Sequence, residues 1–337
     1  MTAEVLSTST PELFQKAVQR AAELLRAGEV VALPTETVYG LAANALDKKA
    51  VAKIFQIKGR PSGNPIIVHV ADNGMAKRCA QNWPELADRL CKAFWPGPLT
   101  LVLPCAKEIP GIVTAGGATV GIRWPGHPFI QAVIRACGFP LAAPSANLSN
   151  CVSPTNAEHV RAQLAGKIPL IVDGGQSQVG IESTVLDLSV CPPQILREGM
   201  IHAVSLAAVI GQVQSPESRV QISEAALRSP GLLRKHYSPK AKLLVLSWRD
   251  EADLQSQLSK LGFQSSPTQI IAHEIIPASE HFAGVNVMPH DAQAFARAIY
   301  AALHRCDEAG AALIVVETPP EAPEWSGIAD RLWRAAG

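Results

Sequence analysis

Residues 58 to 65 read Lys58, Gly59, Arg60, Pro61, Ser62, Gly63, Asn64, Pro65, two cations set among donor side chains on a loop that Pro61 and Pro65 stiffen. Lysine supplies a compact charge and arginine a planar fork that matches paired phosphate oxygens, so the segment is suited to holding phosphates. A basic turn is also what plain solvated surface looks like, so its company decides. Pro144, Ser145, Ala146, Asn147 offer a hydroxyl and a carboxamide after an apolar run, with Ser149 and Ser153 just beyond. Arg123 and Arg197 lie near the ends of two other apolar runs, and Glu182, Ser183, Thr184 follow the glycine-rich Asp173, Gly174, Gly175. Lys, Arg, Ser, Thr and Asn gathered on several strand-end loops describe an anion-binding cavity. His69, between Val68 and Val70, reads either as a satisfied half-buried histidine or as a site residue if its neighbours converge on a pocket.

The elements that must position these residues follow from periodicity and punctuation. Thr10 caps a helix with Pro11 at its first position; Leu13, Ala17, Ala21, Leu24 and Leu25 form its stripe, and Gly28 ends it. Strands are expected over 30–33, 66–70, 99–103, 120–124, 140–143, 170–172, 183–188 and 194–197, and helices over 48–57, 84–94, 128–137, 156–164 and 203–210. The hydroxyl-rich loop Pro34, Thr35, Glu36, Thr37, Val38, Tyr39, Gly40 follows the first of those strands, where open α/β sheets place ligands. Irregular strand spacing predicts a mixed, twisted sheet over residues 1–212. Residues 213–240 are rich in Gln, Ser, Pro and charge, a linker by composition, yet they close on Arg234, Lys235, His236 and Tyr237. A linker with that ending is expected to fold back over a site as a lid. Beyond it, strands over 242–247, 269–272, 285–288 and 312–316 alternate with helices over 251–261 and 292–305. That predicts a small Rossmann-like parallel sheet in residues 241–337, an accessory α/β domain without a phosphate-binding glycine motif.

Composition narrows the class. The 337 residues exceed what one core normally supports, 47% are hydrophobic and 18% charged, as in a globular chain. A net charge of +1 argues against a broad nucleic-acid-binding face. Seven cysteines, odd in number and without a CxxC pair, suit small buried thiols in a reducing compartment, neither a disulfide framework nor a zinc site. The start of the chain lacks the cationic and apolar regions of a signal peptide, and no apolar run is long enough to span a bilayer, so a cytoplasmic protein without membrane association is expected.

Six ordered motifs, PTETVYGL from Pro34, KGRPSGNP from Lys58, WPGPLT from Trp95, VGIRWP from Val120, PSAN from Pro144 and ESTV from Glu182, resemble the YrdC-like family, the threonylcarbamoyl-AMP synthases. The linker and second domain resemble the longer, two-domain form of that family. The resemblance implies a YrdC-like mixed sheet with a concave site and a nucleotidyltransferase. ATP, bicarbonate and L-threonine would become threonylcarbamoyl-AMP and pyrophosphate for N6-threonylcarbamoyladenosine (t6A) in tRNA, with a threonylcarbamoyl transferase receiving the product and tRNA touched only transiently. Carried over by position, Lys58, Arg60, Asn64, Thr119, Ser145, Asn147, Ser153 and Arg197 would bind ATP, with Lys58 and Arg60 in the catalytic role. Thr35, Thr37, Tyr39, His69, Arg123, Ala143 through its backbone, and Ser183 would hold L-threonine. In the linker, Leu233 and Arg234 stand where the family commonly carries lysine and then tyrosine, which leaves Tyr237 as the linker residue expected on the nucleotide. Mg2+ is expected with ATP, without a protein-held metal site.

Two other classes stay open at this point. An RNA-binding module is one, since the family's basic concave surface resembles an RNA groove, although no Lys/Arg stripe supports it. Carbamoyl transfer of the hydrogenase-maturation type is the other, and the lack of paired CxxC motifs speaks against it.

Overall fold

The computed structural model describes residues 3–215, 237–263 and 267–337. Most of the expected linker and lid over 213–240, namely residues 216–236, lies outside the described residues. Two compact units emerge: Met1–Ser149 with Ser153–Leu232, and Asn150–Val152 with Leu233–Gly337. The tripeptide 150–152 joins the second unit through backbone pairing, with Ser238 N donating to Asn150 O at 2.9 Å.

In the first unit the strands are β1 (Glu4–Ser7), β2 (Val31–Leu33), β3 (Gly40–Asn44), β4 (Val68–His69), β5 (Leu99–Pro104), β6 (Thr119–Arg123), β7 (Leu141–Ala142), β8 (Leu170–Asp173), β9 (Thr184–Asp187) and β10 (Gln194–Arg197). They form one mixed sheet in the order β1-β8-β2-β3-β7-β4-β6-β5-β9-β10. Helices α1 (Pro11–Arg26), α2 (Lys48–Lys58), α3 (Asn73–Cys79), α4 (Glu85–Phe94), α5 (Pro128–Cys137), α6 (Ala157–Leu164) and α7 (Ala203–Ile210) complete the described part of the unit. Its core is aliphatic, built on residues such as Leu25, Leu33, Leu41, Ile54, Leu101, Ile122 and Ile171, all fully enclosed. The mixed sheet agrees with the sequence reading. Strand β4 is shorter than the expected five residues: Ile66 N turns away to Val113 O at 2.8 Å, while Ile67 O accepts from Ala143 N at 3.1 Å and Val70 N donates to Arg123 O at 2.9 Å on either side of it.

Helix α1 begins as its sequence dictates, with the Thr10 side chain accepting from Leu13 N and Pro11 at the first turn. Helix α2 positions the basic loop. The Asp47 side chain caps its start, and Gly59 ends it at φ 61° in the left-handed region that suits glycine. That termination places Lys58 on the last helical residue, where the macrodipole favours a cation.

The second unit contains β11 (Lys242–Leu246), α8 (Glu251–Lys260), β12 (Thr268–Ala272), β13 (Gly284–Val287), α9 (Ala292–Glu308), β14 (Leu313–Glu317) and α10 (Ser326–Ala336). Its four strands are all parallel in the order β11-β14-β12-β13, the expected parallel sheet. Among the described residues, no helix is long and apolar enough to cross a membrane. Cys191 is exposed, against the expectation of buried thiols throughout; Cys79, Cys91, Cys137 and Cys306 are buried as expected.

Candidate active site

The site is organised about the short strand β4. β6 runs parallel to it with His69 opposite Arg123, and β7 runs antiparallel with Val68 opposite Ala142. These pairings give the site two ends.

Of the residues expected on the nucleotide, Lys58, Arg60, Asn64 and Thr119 lie toward the start of β4, whereas Arg197 is level with its end through the register Arg197–Val185–Thr100. Lys58 is buried, and its Nζ donates to Ser145 O at 2.5 Å, to Asn147 O, and to Asn147 Oδ1 at 3.4 Å, tying the end of α2 to the Pro144–Asn147 segment. Arg60 folds onto its own loop, Nε donating to Asn64 O at 3.1 Å and Nη2 to Pro65 O at 2.7 Å. Asn64 is enclosed, yet neither its amide nitrogen nor its oxygen has a hydrogen-bond partner among the described residues. The β4 to β6 register, run back from Ile122 opposite Val68, puts Thr119 level with Pro65 at this same end.

Of the residues expected on threonine, Thr37, His69, Arg123 and Ser183 gather where β4 and β6 end, while Ala143 N donates to Ile67 O at the start of β4. Arg123 is buried, with Nη1 donating to Thr37 Oγ1 at 2.9 Å and Nε to Gly97 O at 3.2 Å. Its Nη2 lies 2.7 Å from Glu36 Oε1, an ion pair by distance in which the N–H is not aimed at that oxygen. Glu36 Oε1 also accepts from Gly126 N at 2.7 Å, while Oε2 has no partner among the described residues. Burial pushes the Glu36 carboxyl up, but the Arg123 charge and the Gly126 N–H outweigh it and hold the group below its ordinary value. Beside them His69 is fully buried with Nδ1 unpartnered, and burial followed by the Arg123 charge pulls its pKa down to about 3. The imidazole is therefore neutral at any physiological pH. Thr35 Oγ1 donates to Val38 O at 2.6 Å and meets Thr37 Oγ1 at 2.9 Å, which sets the bend of the loop. A methyl at Gly40 would lie 3.4 Å from Ala143 Cβ and 3.9 Å from Thr35 Cγ2, so the glycine is where these two residues approach.

Ser183 and Arg197 complete the wall. Arg197 wraps Ser183, with Nε and Nη2 donating to its carbonyl at 3.1 and 2.9 Å and Nη2 to its hydroxyl at 3.2 Å; Ser183 Oγ meets Thr100 Oγ1 at 2.8 Å. A bulge in the β9 to β10 ladder between Ile195 and Arg197 re-aims the arginine. Ser153 Oγ donates to Glu182 Oε1 at 2.6 Å, next in sequence to Ser183.

Tyr39 is fully buried and its hydroxyl is engaged on both sides, donating to Gly175 O at 2.7 Å and accepting from Gly174 N at 3.0 Å. It holds the turn after β8. Tyr237 belongs to the second unit, stacked on Tyr300 at 6.1 Å with the Arg331 guanidinium 5.2 Å from its ring. Sequence reasoning missed Glu36 and Glu182 as partners within the site. The signal was present in both cases: each is an acidic residue inside a motif otherwise made of hydroxyls.

A mixed α/β sheet whose strand-end loops bury a lysine, arginines, hydroxyls and unpaired polar atoms defines a small-molecule α/β enzyme with an accessory parallel-sheet unit. Residues 23–199 match the family described as "Telomere recombination", and residues 199–337 match "Threonylcarbamoyl-AMP synthase, C-terminal domain". The threonylcarbamoyl-AMP synthase of Pyrococcus abyssi is 38% identical over 323 residues, covering 95% of this chain and 94% of its own length. That of Bacillus subtilis is 41% identical, covering 98% and 95%. The crystal structure of P. abyssi Sua5 complexed with L-threonine superposes with a TM-score of 0.91 at 36% identity, covering all of this chain and 98% of that one. The chain belongs to the threonylcarbamoyl-AMP synthase family.

Proposed function

We propose that this chain is an L-threonylcarbamoyl-AMP synthase, joining L-threonine, bicarbonate and ATP and releasing pyrophosphate and water. The observation that carries the reading is a pair of buried, unpaired polar groups, one at each end of β4: the Asn64 amide beside Lys58 and Arg60, and His69 Nδ1 beside Arg123. A buried donor or acceptor without a partner costs about 1–3 kcal/mol, a penalty that a bound ligand removes. One end suits a triphosphate and the other a carboxylate with a hydroxyl. Arg123 would share its guanidinium between Glu36 and the threonine carboxylate, while Thr35, Ser183 and the Ala143 backbone meet the rest of the amino acid.

In this mechanism the neutral threonine amine adds bicarbonate, or its CO2 equivalent, to give an N-carboxylate. That carboxylate attacks the α-phosphorus, and pyrophosphate departs. No side chain becomes covalently attached, so the protein contributes orientation and a fixed positive field at the leaving group. Lys58, Arg60 and Arg197 supply that field, with Asn64, Thr119, Ser145, Asn147 and Ser153 around the nucleotide. Mg2+ would arrive on the triphosphate. The product, a labile mixed anhydride, would pass in the cytoplasm to a threonylcarbamoyl transferase acting on tRNA.

The test is pyrophosphate release from ATP and bicarbonate with each amino acid in turn. Threonine-selective release is expected, and Lys58→Ala and Arg60→Ala should each lower it at least tenfold, the loss of roughly one charge-assisted contact. Turnover indifferent to the amino acid would reject the activity, and wild-type turnover in both variants would reject the phosphate assignment.

A further inference from the structure

The second unit carries a cluster that the reaction above does not use. His273 directly follows β12, His290 lies three residues beyond β13, and Glu317 ends β14, so all three stand at the carboxyl ends of adjacent parallel strands, where open α/β sheets bind ligands. One ligand atom from each of His273, Glu274 and His290 lies within 4.8 Å of the others, and His273 Nδ1 is 2.9 Å from His290 Nδ1. His273 is buried, while Glu274 and His290 are exposed and give access from solvent.

The surroundings hold this cluster in a donor-ready form. His273 Nε2 is 3.3 Å from the Thr318 carbonyl, which can only accept, so Nε2 bears the proton and Nδ1 presents its lone pair. The ring is fixed against Trp325, stacked at 5.5 Å, and edge-on to Phe295 at 5.7 Å. Buried Glu317 accepts three backbone N–H groups, from His273 at 2.7 Å, Glu274 at 2.9 Å and Ile275 at 3.0 Å, which pins the loop carrying two of the three bases. A carbonyl behind a ligating imidazole and a carboxylate beneath the ligand loop are the outer partners that orient metal ligands.

We propose that His273, His290 and Glu274 form a binding site for one divalent transition cation of the zinc class, with water at the remaining position. Two imidazoles and one carboxylate are a donor set that zinc takes tetrahedrally. Metal–nitrogen bonds of about 2.0–2.1 Å place two tetrahedral nitrogens about 3.3 Å apart, so His290 must open by a few tenths of an ångström, which its exposed position permits. The ion would link the ends of β12 and β13 and stabilise the accessory unit; no catalytic step is assigned to it.

The full chain, free of any polyhistidine tag and stripped with chelator, is titrated with Co2+ and then competed with Zn2+. One equivalent of Co2+ should bind with the visible bands of a tetrahedral nitrogen and oxygen site and without thiolate charge-transfer absorption, and Zn2+ should displace it. Binding should vanish in His290→Ala and weaken by about tenfold or more in Glu274→Gln, both at solvent-exposed positions where the fold, checked by circular dichroism, is retained. No uptake, uptake that survives His290→Ala, or thiolate bands would each overturn the site, the first leaving a hydrogen-bonded histidine pair.

Discussion

At the scale of single residues, Glu36, His69 and Arg123 form a buried charged cluster whose members set one another's stability. Glu36 and Arg123 form an ion pair with side chains 12% and 4% exposed, so removing the arginine strands a carboxylate. Arg123→Ala should abolish the calorimetric signal of threonine binding and cost about 3–5 kcal/mol of stability at neutral pH. Its pH dependence should reverse sign. In the wild type the lowered Glu36 pKa contributes stability that is present above the ordinary value of 4.5 and lost as pH falls through the folded one. Without Arg123, burial dominates and raises that pKa, so the variant should lose stability as pH rises; parallel melting curves for the two proteins from pH 4 to 7 would exclude this coupling. His69 makes a second case. Its folded pKa of about 3, against 6.5 for a free imidazole, means that the unfolded chain takes up a proton between those values and the folded chain does not. Stability is thus complete above pH 6.5 and falls below it, by about 1.4 kcal/mol per pH unit from this residue. Urea unfolding of His69→Gln should show a correspondingly shallower slope between pH 6 and 4.5, and an unchanged slope would mean that His69 titrates when folded.

At the scale of elements, the site depends on close backbone approaches. A Cβ at Gly199 would lie 2.5 Å from Thr184 N, 2.7 Å from Thr184 Oγ1 and 2.9 Å from Ser183 C, so Gly199→Ala must displace the start of β9 and with it the Ser183 that Arg197 grips. We expect a loss of about 1–3 kcal/mol together with weaker threonine binding, whereas Gly166→Ala, with nothing within 4 Å of its Cβ, should be near neutral in both. Equal behaviour of the two variants in melting and calorimetry would show that the crowding is relieved elsewhere. Much of this scale was legible in the sequence: the capped start of α1, the glycine stop of α2 and the branched apolar runs of β5, β8 and β9 carry local signals. Strand β3 was not, because Gly40, Leu41, Ala42, Ala43 and Asn44 have little strand propensity and owe their pairing to β2 and β7 on either side. Helices α3 and α10 escaped for a related reason, the first being only about two turns long, the second having a buried face that includes Gly327 at its start and Arg331 within it. The same reasoning covers the site. Residue types pointed to a cavity rich in cations and hydroxyls, but the Glu36 to Arg123 pair joins positions 87 apart in sequence, and only the sheet brings them together.

At the scale of the whole molecule, two units with separate hydrophobic clusters carry two proposed ligand sets, threonine and nucleotide on the first and a divalent cation on the second. A ligand stabilises only the cooperative unit that binds it, by about 2.7 kcal/mol at a concentration 100 times its dissociation constant. For a unit of this size each kcal/mol moves the melting temperature by about 2–4 °C, so saturating threonine should raise one transition by about 5–10 °C. Scanning calorimetry of the full chain is therefore expected to resolve two transitions. Threonine should move one of them and Zn2+ the other, with Arg123→Ala abolishing the first shift and His290→Ala the second. The crossed controls distinguish the two proposals: loss of the Zn2+ shift alone leaves the synthase reading intact, and loss of the threonine shift alone leaves the metal site intact. A single transition that moves as a whole with either ligand would mean that the units unfold as one.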